Sequence, residues 1–339
     1  MSSTGKRIDY VDFYRFIGIT LMIIGHVGVG STYEKIVHAF NMPMFFLVSG
    51  YCFGNGTDFR SFIKNKSKRL IIPYFAFSLF TFLMLRRING IGVSRMTHVL
   101  WINNVDTPIA GVWFITALFF GNLLFFFINK INNSWIKWSL SFFLFLLGLS
   151  LERDFSLQLP WSLNAAFASV LFICIGKEFR REEQKDSAAA EVPRGGGNNL
   201  LPIWSLALFA LAIGLAYANR MVNMRTNTYD NIALFFFVAT VVSLLLLRYC
   251  RIFDRIVADS PYNAVKKLYG IFCSIGRYSI CYLCSNQVAI RYSRKLAEAL
   301  HVQNKVATAA FVLVCSFLAM YVLHNVIVKT KLRVIIGEF

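Results

Sequence analysis

The sequence holds no HExxH pair and no clustered set of histidines and carboxylates, so it lacks the usual frameworks for a metal, and none is expected. No GK[ST] follows the triplet Gly195-Gly196-Gly197, which excludes a nucleotide-binding phosphate loop. Cysteines are few and odd in number: Cys52, Cys174, Cys250, Cys273, Cys281, Cys284 and Cys315 mostly fall in or beside apolar runs, which argues against a disulfide framework. Cys281 and Cys284 form a CxxC, but two further ligands are missing nearby, and close packing of small residues in a membrane helix explains the pair. The first apolar run is interrupted by Asp12, Arg15 and His26 and reads as a retained helix, not a cleaved signal. No convincing internal repeat suggests the inverted halves of a transporter.

Apolar residues are abundant. Hydrophobic side chains make up 57% of the chain and aromatics 16%, with 34 Phe, where a soluble domain has about 45–50% apolar residues. The composition specifies an all-α, polytopic integral membrane bundle. Spans of suitable length fall near 12–30, 36–54, 70–86, 112–129, 134–150, 161–178, 200–217, 231–248, 274–291 and 306–327. About ten transmembrane helices are therefore expected in a single domain over 1–339, with a flexible cytoplasmic linker near 182–199. The net charge of +18 sits in short clusters between apolar runs, with no nucleic-acid module beside it. The bilayer is the expected partner, and nucleic acid is not. With the N-terminus cytoplasmic, Lys and Arg show a roughly twofold inside excess. The outside cluster from Arg291 to Lys295 runs against that pattern.

The chemistry concentrates in the first hairpin, Arg15 to Gly50. Arg15 and His26 lie about three helical turns apart, so they share one face and are separated by roughly 16 Å along the axis. An imidazole deep in the apolar layer and a cation at its inner end are costly unless they face a cavity, which marks them as functional candidates. His26, with an ordinary imidazole pKa of about 6.5, suits a general base. It could equally be a transient acyl acceptor. Asp12 is placed to pair with Arg15 at the inner end. Pro43, with Asn41 and Ser49, predicts a bent segment beside the cavity. Lys64 and Lys66 read as positive-inside anchors and Glu34 as a solvated loop carboxylate; His38, three residues before Asn41, matches no motif, and His98, His301 and His324 lack a constellation.

The pattern D-x-x-R-x(10)-H of Asp12, Arg15 and His26 is followed by FNMPMFFLVSGY (Phe40 to Tyr51) and KNKSKRLIIPY (Lys64 to Tyr74). VWFITALFF (Val112 to Phe120), LPWSLNAAF (Leu159 to Phe167) and IGRYSICYL (Ile275 to Leu283) come later. In this order the motifs resemble acyltransferase family 3, membrane proteins that O-acetylate bacterial surface sugars, and in particular its fucose 4-O-acetylase-like members. The resemblance covers nearly the whole chain. It implies a multi-pass protein of the bacterial inner (plasma) membrane that takes acetyl-CoA as donor and a sugar or glycolipid as acceptor. Arg15, Lys68 and Arg69 would grip the donor phosphates, with His26 catalytic. Asp12, Asn41, Ser49, Tyr74, Trp113 and Asn164 form the expected cavity or substrate set. Asn41 stands where many relatives have the histidine of FHMP, and Asn164 where relatives often have an acid. The alternative is a glycolipid transporter or flippase using Arg15 and His26 for binding or proton relay; a coenzyme A site would separate the two.

Overall fold

The computed structural model describes residues 7–54, 56, 58–89, 110–189, 203–219 and 221–337. The helices are α1 (Asp9–Val27), α2 (Ser31–His38), α3 (Asn41–Tyr51), α4 (Phe59–Lys66), α5 (Ile72–Asn89), α6 (Trp113–Ile128), α7 (Ser134–Arg153), α8 (Leu163–Ala189), α9 (Ile203–Ala218), α10 (Ile232–Asp259), α11 (Asn263–Arg277), α12 (Ser279–Ala299) and α13 (Lys305–Lys329). A two-stranded antiparallel hairpin, β1 (Val222–Asn223) and β2 (Thr228–Tyr229), joins α9 to α10 with Val222 opposite Tyr229. The expected all-α membrane bundle is the fold.

Polar residues set several helix starts. Asn133, Asn231 and Asn304 each accept hydrogen bonds from backbone N–H groups in the first turn of α7, α10 and α13, and Asp58 does the same for α4. Among the described residues, six helical runs are long and apolar enough to cross a membrane: α1, the α4–α5 run, α7, α8 with its leading turn, α10 and α13. The apolar helices α6 and α9 are shorter. The expected span over 36–54 is broken into α2 and α3, because the chain turns at Ala39 and Phe40. With 11 residues, α3 reaches only about 16 Å at 1.5 Å per residue, too short to cross. Pro43 does not kink it. The proline occupies the first turn of α3, where a missing N–H breaks no intrahelical bond.

A π-helical turn, Ser67–Ile71, links α4 to α5. Pro73 has no N–H for the Arg69 carbonyl and its ring would crowd that carbonyl, so the helix widens there. Beyond the expected span over 231–248, α10 continues to Asp259, and α11 follows as an amphipathic helix ahead of the span expected from 274. The expected linker begins as helix, since α8 runs to Ala189, and 190–199 lie outside the described residues.

Close backbone approach fastens the centre. A Cβ on Gly50 would run into the Ile173 carbonyl, and one on Gly176 into the Leu47 carbonyl, so α3 and α8 meet through paired glycines. Lys137, expected as a topological cation, is turned inward: its side chain is 11% exposed and lies 3.5 Å from Glu178, which Arg181 holds at 2.7 Å.

Candidate active site

The site is built on one stripe of α1. At its N-terminal end Asp12 is buried and accepts from Arg7 Nε at 2.7 Å and from Arg15 Nη1 at 3.1 Å. The expected Asp12–Arg15 pair therefore forms, and Arg7 shares it. Arg15 stays partly open, with Nη2 3.8 Å from Cys52 Sγ at the end of α3. Further out, Gly18 lets Met44 and Phe45 of α3 approach the helix, and Asn41 Nδ2 donates to the Gly18 carbonyl at 2.8 Å. The Asn41 Oδ1 is buried without a hydrogen-bond partner. Position 41 thus lies about two turns from His26, toward the N-terminal end of α1.

His26 sits in the last turn of α1, half-buried. Its expected place deep within a span reaching residue 30 is corrected: Gly28, at φ 88°, takes the left-handed conformation that ends the helix. The ring is not sealed in the core. Arg294 of α12 donates to the carbonyls of His26 (3.1 Å) and Val27 (3.0 Å), fixing this end. The chain then folds back as α2, pinned to α1 by the Tyr33 hydroxyl on the Leu21 carbonyl at 3.0 Å. That return brings His38 and Arg294 into electrostatic range of the His26 ring, and Glu34 into range of His38.

A second cluster lies inward. Lys66 is half-buried, and its Nζ donates to Asn122 Oδ1 at 2.8 Å, between the rings of Phe53 and Phe62. Ser49 Oγ donates to the same oxygen at 3.0 Å. Asn122 is fully buried and gives its own amide hydrogen to Leu118 O at 2.6 Å. The charges of Arg15 and Arg69 both act on Lys66. No carboxylate forms a salt bridge with Lys66 among the described residues. Lys68 is half-buried and Arg69 exposed on the π-helical turn, where Gly337 packs onto the Arg69 Cα and the Lys68 carbonyl. Of the expected donor residues, Arg15 lies beside Cys52 and Lys66 beside the adjacent Phe53, which brings these two cations to the end of α3, while Arg69 stays exposed on the π-helical turn.

The remaining candidates are dispersed. Tyr74 is fully buried, with Phe75 edge-on and Trp161 at 6.5 Å between ring centres. Trp113 is 7% exposed, packed inside the bundle. Asn164 is occupied by the loop before α8: Nδ2 donates to Leu157 O at 2.6 Å, and Oδ1 accepts from Leu159 N–H at 3.3 Å. Two cavities open toward the N-terminal end of α1. One, of about 360 Å³, is lined by Asp9, Asp12, Asp254, Lys266, Tyr269 and Arg277 among others; the second, of about 130 Å³, lies by Tyr10, Tyr51 and Arg180.

Sequence reasoning missed Lys66, Asn122 and Arg294. A lone amide inside the apolar run LFFGNLLFFF was the available signal for Asn122, since a polar group there needs a partner.

The apolar helices of membrane-spanning length define a multi-pass membrane protein. The family model described as an acyltransferase domain matches residues 8–325. The chain belongs to acyltransferase family 3 and is a membrane acyltransferase. No curated protein and no solved structure matches it.

Proposed function

We propose that the protein transfers an acetyl group from acetyl-CoA to a hydroxyl of a cell-surface glycan or lipid-linked sugar, as a multi-pass protein of a bacterial inner membrane with its N-terminus in the cytoplasm. One observation carries the reading: at one end of α1 Arg15 meets Cys52, next to the Phe53 ring that Lys66 faces, while His26 occupies the other end of the same helix. Coenzyme A presents a pyrophosphate and a ribose phosphate, and the inner cluster offers cations without a neutralising acid at Lys66. Arg clamps phosphate in bidentate fashion and Lys adds point charge. The flexible pantetheine arm then leads outward along α1 toward His26.

His26 Nε2 or Nδ1 takes the proton of the acceptor hydroxyl as its oxygen attacks the acetyl carbonyl carbon. A C–O bond forms, the C–S bond breaks, and the coenzyme A sulfur leaves as thiolate, which recovers the proton from the imidazolium. The variant route, attack by the imidazole itself, gives an acetyl-imidazole that the hydroxyl then consumes. Asn41, with a bare buried carbonyl oxygen beside Gly18, is a hydrogen-bond acceptor for the pantetheine amides. Ser49 positions Lys66 through Asn122, and Asp12 orients Arg15.

Family membership favours this reading over a glycolipid carrier. Thermal unfolding of the purified protein tests it: coenzyme A at about 100 times its Kd should stabilise the fold by about 2.7 kcal/mol. The absence of any shift with coenzyme A or acetyl-CoA would overturn the donor assignment.

A further inference from the structure

The positive-inside pattern leaves Arg291, Arg294 and Lys295 unexplained, since all three lie at the outer end of α12. Arg294 has a structural duty, because it caps the last carbonyls of α1. The Arg291 side chain makes no hydrogen bond among the described residues: it is half-buried, and its Nη1 is buried without a partner there. Among the described residues no carboxylate forms a salt bridge with Arg291, Arg294 or Lys295. An unpaired guanidinium at membrane depth is costly, and such residues normally find a counter-charge.

The fold places this group beside the reacting end of α1. Gly276, at the start of the α11–α12 junction, packs on the backbone of Asp12, and Arg294 meets Val27 at the other end. Helices α1 and α12 therefore run in the same direction, and Arg291 lies within about a turn of the depth of His26. Seven residues, close to two turns, separate it from Cys284, whose carbonyl accepts from Thr81 of α5 at 3.5 Å. Arg291 thus belongs to the stripe of α12 on the α5 side.

An anion that reaches this depth from the outer side must bring an apolar tail with it. A lipid-borne phosphate meets that requirement, and a planar guanidinium suits it. We propose that Arg291 binds the phosphate of a lipid at the outer end of α12 and so holds a phosphate-linked glycolipid acceptor next to His26. The acceptor class rests on the acetyl-transfer reading above; the phosphate site does not. The same chemistry is offered by a bilayer phospholipid, so the test includes one.

The full-length protein in an uncharged maltoside detergent is titrated with three ligands: a sugar on a polyprenyl diphosphate, the same sugar as an uncharged alkyl glycoside, and phosphatidylglycerol. Binding is read for the wild type, Arg291→Gln and Arg291→Lys. The wild type should bind the diphosphate-linked sugar at least about tenfold more tightly than the glycoside. Arg291→Gln should erase that margin, and Arg291→Lys should keep part of it. The KM for the diphosphate-linked acceptor should rise by a similar factor in Arg291→Gln, while the donor KM stays constant. Equal wild-type affinity for the charged and uncharged acceptors would overturn the proposal, as would equal losses for both in Arg291→Gln. Equal binding of phosphatidylglycerol would reassign the site to bilayer lipid and overturn the acceptor assignment. Arg291-dependent binding without acetyl transfer to any acceptor would remove the acetyl-transfer reading and leave the phosphate site standing.

Discussion

Replacing Lys66 by Gln isolates the inner cluster from the rest of the fold. The ammonium donates to Asn122 Oδ1, which also accepts from Ser49, so the buried amide keeps a partner when the charge is removed. Gln can itself donate to that oxygen, so the fold should lose little. What disappears is one positive charge next to Arg15 and Arg69. A hydrogen bond to a charged group is worth about 1.5–3 kcal/mol, but Lys66 is only half-buried and would share its anion with two arginines, so the bottom of that range or slightly less applies. A loss of about 1.4 kcal/mol corresponds to roughly a tenfold weaker donor. The assay is initial-rate acetyl transfer with acceptor fixed and acetyl-CoA varied, run beside Lys64→Gln, whose side chain is exposed. Donor KM should rise about tenfold in Lys66→Gln with kcat little changed, the mark of lost binding common to ground and transition states. An unchanged KM, or an equal rise in Lys64→Gln, would refute a phosphate site at Lys66.

Two further outcomes follow from packing. Gly176→Val places a branched side chain against the Leu47 carbonyl and should cost at least about 1–3 kcal/mol of stability. Gly214→Val, where nothing lies within 4 Å of the added Cβ, should change the unfolding midpoint little. Asn164→Ala strands the Leu157 carbonyl and the Leu159 N–H, which predicts a loss of about 1–3 kcal/mol with both substrate KM values unchanged. A raised acceptor KM at full stability would make Asn164 a substrate contact instead.

The helical membrane bundle was legible because its signal is compositional: apolar runs of spanning length leave few alternatives. The Asp12–Arg15 pair was legible because it is local, three residues apart on one helix. What the sequence hid depends on contacts between distant segments. Lys66 looks like its neighbour Lys64 in a basic string, and only the packing of α4 against α6 turns one inward to Asn122 and leaves the other in solvent. The approach of His38 to His26 requires the break at Ala39 and Phe40, which a continuous apolar pattern does not announce. The depth of His26 was misjudged because Gly28 lies inside an apolar stretch, where its role as a helix terminator has no hydropathy signature. Asn164 kept its place in a motif while its amide was taken up by the loop before α8, a seven-residue contact that no periodicity encodes.

The central claim is that the His26 imidazole handles the proton of the acceptor hydroxyl. Its most direct measurement is single-turnover transfer of labelled acetyl from acetyl-CoA by purified His26→Gln, checked for an unchanged unfolding midpoint and unchanged coenzyme A binding. The account predicts a rate lowered by roughly 10²–10⁴ with donor affinity intact. A variant that binds coenzyme A and still transfers acetyl at the wild-type rate would contradict it.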